Sequence, residues 1–279
     1  MNSRLHRIDW HMFVLLGVAT ALAGCTPSFQ PRNFSNPESL FRGAMLEYGR
    51  KHWDNAQLGF ERLTSDLSAR DPLLAPAYYY LALTHERRGE FLLAAQSFER
   101  VTDGFPDDTL APIAMLGVGR SYQSLWRSPA LDPENGTKAA GILRALLSSY
   151  PDAKQVPEAK ARITQIEEWL AQKDYDTGMH YVKVRRAIDP AIIYFKDVVT
   201  TYPQTKTARL AWLRLHELYT RIRWKDDAAE TCTAMWRAYP TDAEVKLACG
   251  AVPTDTTVGT KKAPGAVPIA AGLARPAPR

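Results

Sequence analysis

The chain has 279 residues, 46% of them hydrophobic and 10% aromatic, which is enough to bury a sizeable core and excludes a wholly disordered or fibrous protein. Its formal net charge of +5 sits mostly at the ends. Residues 1–24 hold +1 (Arg4 and Arg7 against Asp9) and residues 251–279 hold +3 (Lys261, Lys262, Arg275 and Arg279 against Asp255), leaving +1 for the middle. A middle so near neutral offers no broad cationic face, so nucleic acid is not expected as a partner.

The first elements in chain order are an address and a tether. Arg4, His6 and Arg7 make a positive start, followed by an apolar run of twelve residues from Met12 to Ala23. As a helix that run spans roughly 18 Å, short of a ~30 Å hydrocarbon core, so residues 1–24 read as a cleaved signal peptide. The run closes on Leu22-Ala23-Gly24-Cys25, which resembles the lipobox of bacterial lipoproteins. That resemblance implies cleavage before Cys25 and acyl chains such as palmitate on its thiol and new amine. Each buried methylene then adds about 0.8 kcal/mol of membrane attachment. The alternative is an ordinary signal with an incidental cysteine. Thr26 stands where an aspartate favours inner-membrane retention in enteric lipoproteins, which implies the periplasmic face of the outer membrane. Residues 25–37 are polar, proline-bearing and without periodicity, and read as a flexible lipid-anchored tether.

From residue 38 to 250 the apolar period is helical, and it repeats. Within Pro76–Pro106, Tyr78, Leu81, Ala82 and His85 form one stripe and Gly89 breaks it. Ala94, Phe98 and Val101 form a second stripe at i, i+4 and i+7, which Gly104 and Phe105-Pro106 are expected to stop. The second stripe recurs at Ala56/Phe60/Leu63, Ala139/Leu143/Leu146, Ala191/Phe195/Val198 and Ala228/Cys232/Met235, with anchors 38, 45, 52 and 37 residues apart. Twelve residues after each of the last four anchors stands a proline preceded by an aromatic: Phe105-Pro106, Tyr150-Pro151, Tyr202-Pro203 and Tyr239-Pro240. A small residue, a large one and a proline stop describe the tetratricopeptide repeat, whose period is about 34. The expected fold class is therefore all-α. It is a right-handed superhelix of about five tetratricopeptide-like helix pairs, flanked by the tether and a disordered tail.

The units are not identical. The first ends irregularly in LTSDLSARDP, and the third carries a loop, RSPALDPENG, that delays its second helix to an expected N-cap at Thr137. Val156 to Met179 reads as a longer amphipathic stretch inserted before the fourth pair, whose second helix is expected to start on Asp189-Pro190. A short helix from Ala243 to Cys249 is expected to cap the open end. Residues 251–279 have no stripe and many prolines, and read as a disordered basic tail.

No catalytic constellation is present, and neither an enzyme, a cofactor nor a metal site is expected. Gly117 and Gly119 lack the third glycine and the preceding strand of a nucleotide loop. The six histidines form no HExxH, and no GxSxG occurs. Asp132 to Asn135 lacks the ligand spacing of a calcium loop. His85 lies on a core stripe and reads as packing. Cys232 and Cys249 read either as a disulfide in an oxidising compartment or as two buried free thiols. Among the Tyr78-Tyr79-Tyr80 run at least one ring is expected to face out, since three successive residues span about 200° of helix. Tyr79 and Tyr80 with Arg87 and Arg88, and Tyr48 with Trp53 next to them, are candidates for gripping an extended peptide by stacking and charge-assisted bonds. Ordinary packing and a solvated basic turn are the alternative.

Lipobox, tether, repeat number and the pattern of residues 173–219 (KDYDTGMHYVKVRRAIDPAIIYFKDVVTTYPQTKTARLAWLRLHELY) together resemble the BamD family, the ComL/YfiO lipoproteins of the outer-membrane β-barrel assembly machinery. The resemblance covers residues 36–249. It implies a non-enzymatic adaptor that holds the barrel insertase (a BamA-like subunit) and other assembly lipoproteins through its C-terminal repeats. Its N-terminal repeats would take the C-terminal signal of unfolded barrel substrates. It also implies a partner contact at Arg185 and Arg186, where the family tends to have Arg-Gly; Arg186 thus replaces a residue able to take positive φ. The alternative is a periplasmic repeat scaffold for pilus assembly or for cell-wall and Tol-Pal-type complexes.

Overall fold

The computed structural model describes residues 29–250, so the expectations placed on the signal peptide, Cys25 and residues 251–279 lie outside the described residues. The described chain is helical throughout, with no strand among its elements. It divides after Ala208 into two compact units.

The first unit is built from helix pairs in chain order. These are α1 (Pro37–Gly49) with α2 (Trp53–Asp66), α3 (Leu74–Arg88) with α4 (Phe91–Gly104), and α5 (Ala111–Leu125) with α6 (Glu134–Ser149). The fourth pair is α7 (Val156–His180) with α8 (Ile188–Thr201), and α9 (Lys206–Arg221) begins the fifth. From α1 to α8 each helix packs on the next, and the short connections make neighbours antiparallel. The anchor stripes supply the core. Ala56, Phe60, Ala94, Phe98, Val101, Ala139, Leu143, Leu146, Ala191, Phe195 and Val198 are all fully buried. Small residues on the facing helices make room for the large ones. A Cβ on Gly117 would stand 2.7 Å from the Phe98 ring, so α4 and α5 meet this closely only because that side chain is absent.

Several local expectations shift. Val156–Met179 is no insertion but the first helix of the fourth pair, lengthened to 25 residues and continued by a π turn over Tyr181–Arg185. Thr137 lies inside α6 rather than capping it. The helix starts three residues earlier, where the Asp132 carboxylate accepts from the Glu134 amide at 2.9 Å and removes the need for a later cap. Asp189 is likewise the second residue of α8, with Ala187 at the cap and no side-chain cap bond. Gly89 ends α3 in the left-handed conformation (φ 77°), as its position requires. Gly104 does not take positive φ; it is the last helical residue, and Phe105 (φ −139°) before Pro106 ends α4. Part of the expected tether is packed: Phe29 and Phe34 lie against the core of the first pair, their rings 5.3 Å apart, because α1 and α2 present Gly43 and Gly59 there.

Arg186 closes the π turn at φ 52°, in the left-handed region that glycine takes at least cost. Left-handed backbone costs a residue with a Cβ about 1 kcal/mol, while glycine loses more chain entropy on folding. Arg186→Gly is therefore expected to raise stability by about 0.5 kcal/mol in urea unfolding. A loss would mean that the guanidinium itself holds the turn.

The second unit contains the rest of α9, α10 (Lys225–Ala238) and α11 (Ala243–Cys249). Met235 and Val245 are fully buried and Cys232 nearly so, with Trp212, Leu213, Trp236 and Tyr239 packed around them. Asp242 starts α11: its Oδ1 accepts from the Glu244 and Val245 amides at 2.9 and 3.1 Å. Arg209 donates a two-pronged fork to the same carboxylate at 2.6 and 2.8 Å. That fork first, and the two amides with it, hold the Asp242 carboxyl down at about 2. A carboxyl depressed in the fold stabilises it above the ordinary aspartate pKa near 4, and this contribution fades as pH falls through about 2. The stability gap between the wild type and Asp242→Asn should thus be full at pH 5 and close by pH 2. A gap that persists at pH 2 would show that the charge is not what stabilises the cap.

Candidate peptide groove and partner surface

The first helix of each pair positions the candidate side chains. On α3 the tyrosine run does not send a ring fully outward: Tyr78, Tyr79 and Tyr80 are all half-buried, because α3 is flanked on both sides by packed helices. Tyr80 enters an aromatic cluster. Its ring stacks on Phe60 (5.8 Å, 19° between planes) and meets Phe41, Tyr48 and Tyr79 edge-on at 6.0, 5.8 and 5.4 Å. Tyr48 in turn meets Trp53 at 5.3 Å. The structure therefore joins Tyr48, Trp53 and Tyr80 as the packing between the first and second pairs.

Tyr79 and Arg87 instead come together at a cavity of about 360 Å³ with Leu83, Glu86, Ile113, Leu116 and Arg120, between the first helices of the second and third pairs. Tyr79 packs its ring edge-on against Phe98 at 5.8 Å, and burial pushes its phenol pKa up. Arg87 is exposed and, among the described residues, is without an ion-pair partner. Arg88 is spoken for, paired with Asp54 and with Glu90 at 2.8 Å. His85 is 4% exposed with Nδ1 2.7 Å from a Glu90 oxygen, in keeping with packing.

Sequence reading missed Arg120 and Glu86. Arg120 donates from Nε and Nη2 to the two oxygens of Glu86 at 2.8 and 2.6 Å, and the Ser121 hydroxyl donates to the same carboxylate at 3.2 Å. The Glu86 carboxylate holds the Arg120 pKa above the ordinary guanidinium value. The signal was present in outline: the two residues stand 34 apart, one repeat period, so successive first helices carry them side by side. The outcome is a concave site with apolar walls (Leu83, Ile113, Leu116), a tyrosine, and two arginines, one held in place and one free to turn.

A second surface surrounds the π turn. Arg185 and Arg186 are exposed, and so are Val184 (66%) in the π turn and Ile193 (60%) on the helix that follows it. At the far end of the chain Cys232 and Cys249 form a disulfide with Cα atoms 5.6 Å apart. His216, which the sequence did not single out, converges on them, its Nδ1 3.4 Å from the Cys232 sulfur. These are the metal-ligand types that cluster among the described residues.

Comparison with known proteins narrows the class. A curated relative, the outer membrane protein assembly factor BamD of Caulobacter vibrioides, is 22% identical over 234 residues, covering 81% of this chain and 74% of that protein. Solved repeat proteins overlap more loosely. The TPR2AB-domain–pHSP90 complex of yeast Sti1 is 10% identical at a TM-score of 0.41, covering 76% of this chain and 81% of that one. A thermophilic TPR protein of Thermus thermophilus is 18% identical at 0.34, covering 76% and 96%. The family described as YfiO, outer membrane lipoprotein, matches residues 35–234, most of the described chain and every pair from the first into the fifth. The chain belongs to the YfiO family of outer membrane lipoproteins.

Proposed function

We propose that this protein is a non-enzymatic adaptor in the assembly of outer-membrane β-barrels, anchored by acyl chains on Cys25 at the periplasmic face of the outer membrane. The family match over residues 35–234 carries the reading, and the related assembly factor supports it. In this reading the cavity beside Tyr79, Leu83, Arg87 and Arg120 takes the C-terminal segment of an unfolded barrel substrate. The apolar walls accept its side chains, Tyr79 stacks, and Arg87 turns to meet its carboxylate. The surface carrying Val184, Arg185, Arg186 and Ile193 is the contact for the barrel insertase: exposed apolar side chains together with arginines are what protein interfaces favour.

Affinity purification of the full chain with its anchor intact tests the assembly role. The barrel insertase is expected in the eluate. Its absence, with pilus or cell-wall proteins in its place, would overturn the reading in favour of another repeat scaffold. The anchor has its own test. Cys25→Ser should move the protein from the membrane fraction to the soluble periplasm, since two or more acyl chains are what stable attachment needs; continued membrane fractionation would argue against lipidation.

A further inference from the structure

The second unit brings one titratable, metal-binding chemistry together that the adaptor reading does not use. His216 on α9, Cys232 on α10 and Cys249 on α11 place an imidazole nitrogen and two sulfurs all within 4.8 Å of one another. The three helices follow one another in the chain with the ligands 16 and 17 residues apart, too far for any one helix to group them, so the convergence comes from how the helices pack. The cysteines are joined, and a disulfide sulfur is a poor ligand because its charge-bearing lone pair is tied up in the bond. Once the bond is open the same three atoms match a different geometry. Two thiolates bound to one Zn2+ at about 2.3 Å each, at a tetrahedral angle, stand roughly 3.8 Å apart. Cα atoms at 5.6 Å allow that spread by side-chain rotation alone.

We propose that the reduced form of this unit holds a single thiophilic divalent cation, Zn2+ in type, on Cys232, Cys249 and His216. Three features favour a metal over two free thiols. Thiolate and imidazole are the ligand types that soft and borderline cations select. Two thiolates neutralise a dication, so the filled site carries no net charge. That suits its surroundings, for Met235 and Val245 are buried beside it and Trp212, Leu213, Trp236 and Tyr239 pack around it. The third ligand is already in place: Nδ1 of His216 stands 3.4 Å from the Cys232 sulfur, within 3.3 Å of the Ala228 carbonyl oxygen. To bind, that nitrogen gives up the Ala228 carbonyl and the imidazole carries its proton on Nε2 instead. A fourth position is left for water.

The chemistry balances simply. A dithiol or phosphine reductant supplies two electrons and is itself oxidised to a disulfide or phosphine oxide. The sulfur–sulfur bond breaks and each sulfur takes a proton. The cation then displaces both thiol protons to solvent as the two metal–sulfur bonds form. A small-molecule disulfide, taking two electrons and leaving as two thiols, re-forms the sulfur–sulfur bond and expels the ion, so the site is filled only when the bond is open.

The test uses the full chain carrying Cys25→Ser, which leaves Cys232 and Cys249 as the only thiols. After reduction with a water-soluble phosphine and its removal, Zn2+ is titrated, with Cd2+ in parallel to report metal–thiolate bonds by their ultraviolet charge-transfer band. One ion per chain is expected in the reduced form and none in the oxidised form. His216→Ala should weaken binding at least about tenfold, the least that losing even an outer-shell partner of a metal costs. Zn2+ should also protect both thiols of the unsubstituted site from alkylation, counted by mass spectrometry, a readout that needs no change at the site. The proposal is overturned if the reduced chain takes up no stoichiometric ion, if both thiols alkylate equally with and without Zn2+, or if His216→Ala binds as tightly as the parent.

Discussion

Phe98→Ala is expected to cost about 3–5 kcal/mol in denaturant unfolding, the largest effect of any single substitution considered. The ring is fully buried at the meeting of α4 and α5, with Gly117 packed close against it and the Tyr79 ring edge-on to it. Truncation removes most of its buried apolar surface and leaves a cavity that cannot close. Gly117 offers no side chain to fill it, and helices held by neighbours on both sides do not slide inward. The effect should reach the groove, because Tyr79 leans on the lost ring. A loss below about 1 kcal/mol would mean that the Ala-x3-Phe stripe is not what holds the second pair to the third.

The second large effect concerns the chain's last helix. Cys249→Ser should lower the local stability of α11 by about 3 kcal/mol, the scale for opening a loop of this length. The bond closes a separation of 17 residues between α10 and α11. A seven-residue helix is too short to persist on its own, and the other ties are the Asp242 cap, the Arg209 fork and the buried Val245. Amide hydrogen exchange over residues 243–249 measures this directly. Exchange faster by two decades or so corresponds to the expected loss; unchanged protection would show that the polar ties and Val245 suffice without the disulfide.

Much of the fold is legible in the sequence because its core is written in a local period. The second helices of the first four pairs bury Ala, a large residue and a branched one at i, i+4 and i+7, and from the second pair on an aromatic-proline pair stands one turn later. Such signals depend on residues a few positions apart, so insertions between repeats do not blur them. The helix starts expected at Thr137 and Asp189 fall late for a related reason. Both residues have the chemistry of a cap, yet α6 begins with Pro133 at its cap and the Glu134 amide on the Asp132 carboxylate, and α8 begins with no side-chain cap bond. A cap is chosen by where the preceding chain arrives, and that is a matter of the packed pair.

The groove was readable only in part. Tyr79 and Arg87 were singled out and do share a cavity, whereas Tyr80, Tyr48 and Trp53 turn into a packed cluster and Arg88 into ion pairs. Adjacent residues on one helix differ by about 100° in direction, and which direction is walled off depends on the neighbouring helices. By itself the sequence determined the helix pairs, their core stripes and the membership in a repeat class, since each rests on spacing within one or two helices. The tertiary structure alone decided which tyrosine lines a cavity, that Glu86 grips Arg120, and that His216 meets Cys232 and Cys249. Those are contacts between side chains of different helices, set by how closely the helices approach and not by any period along the chain.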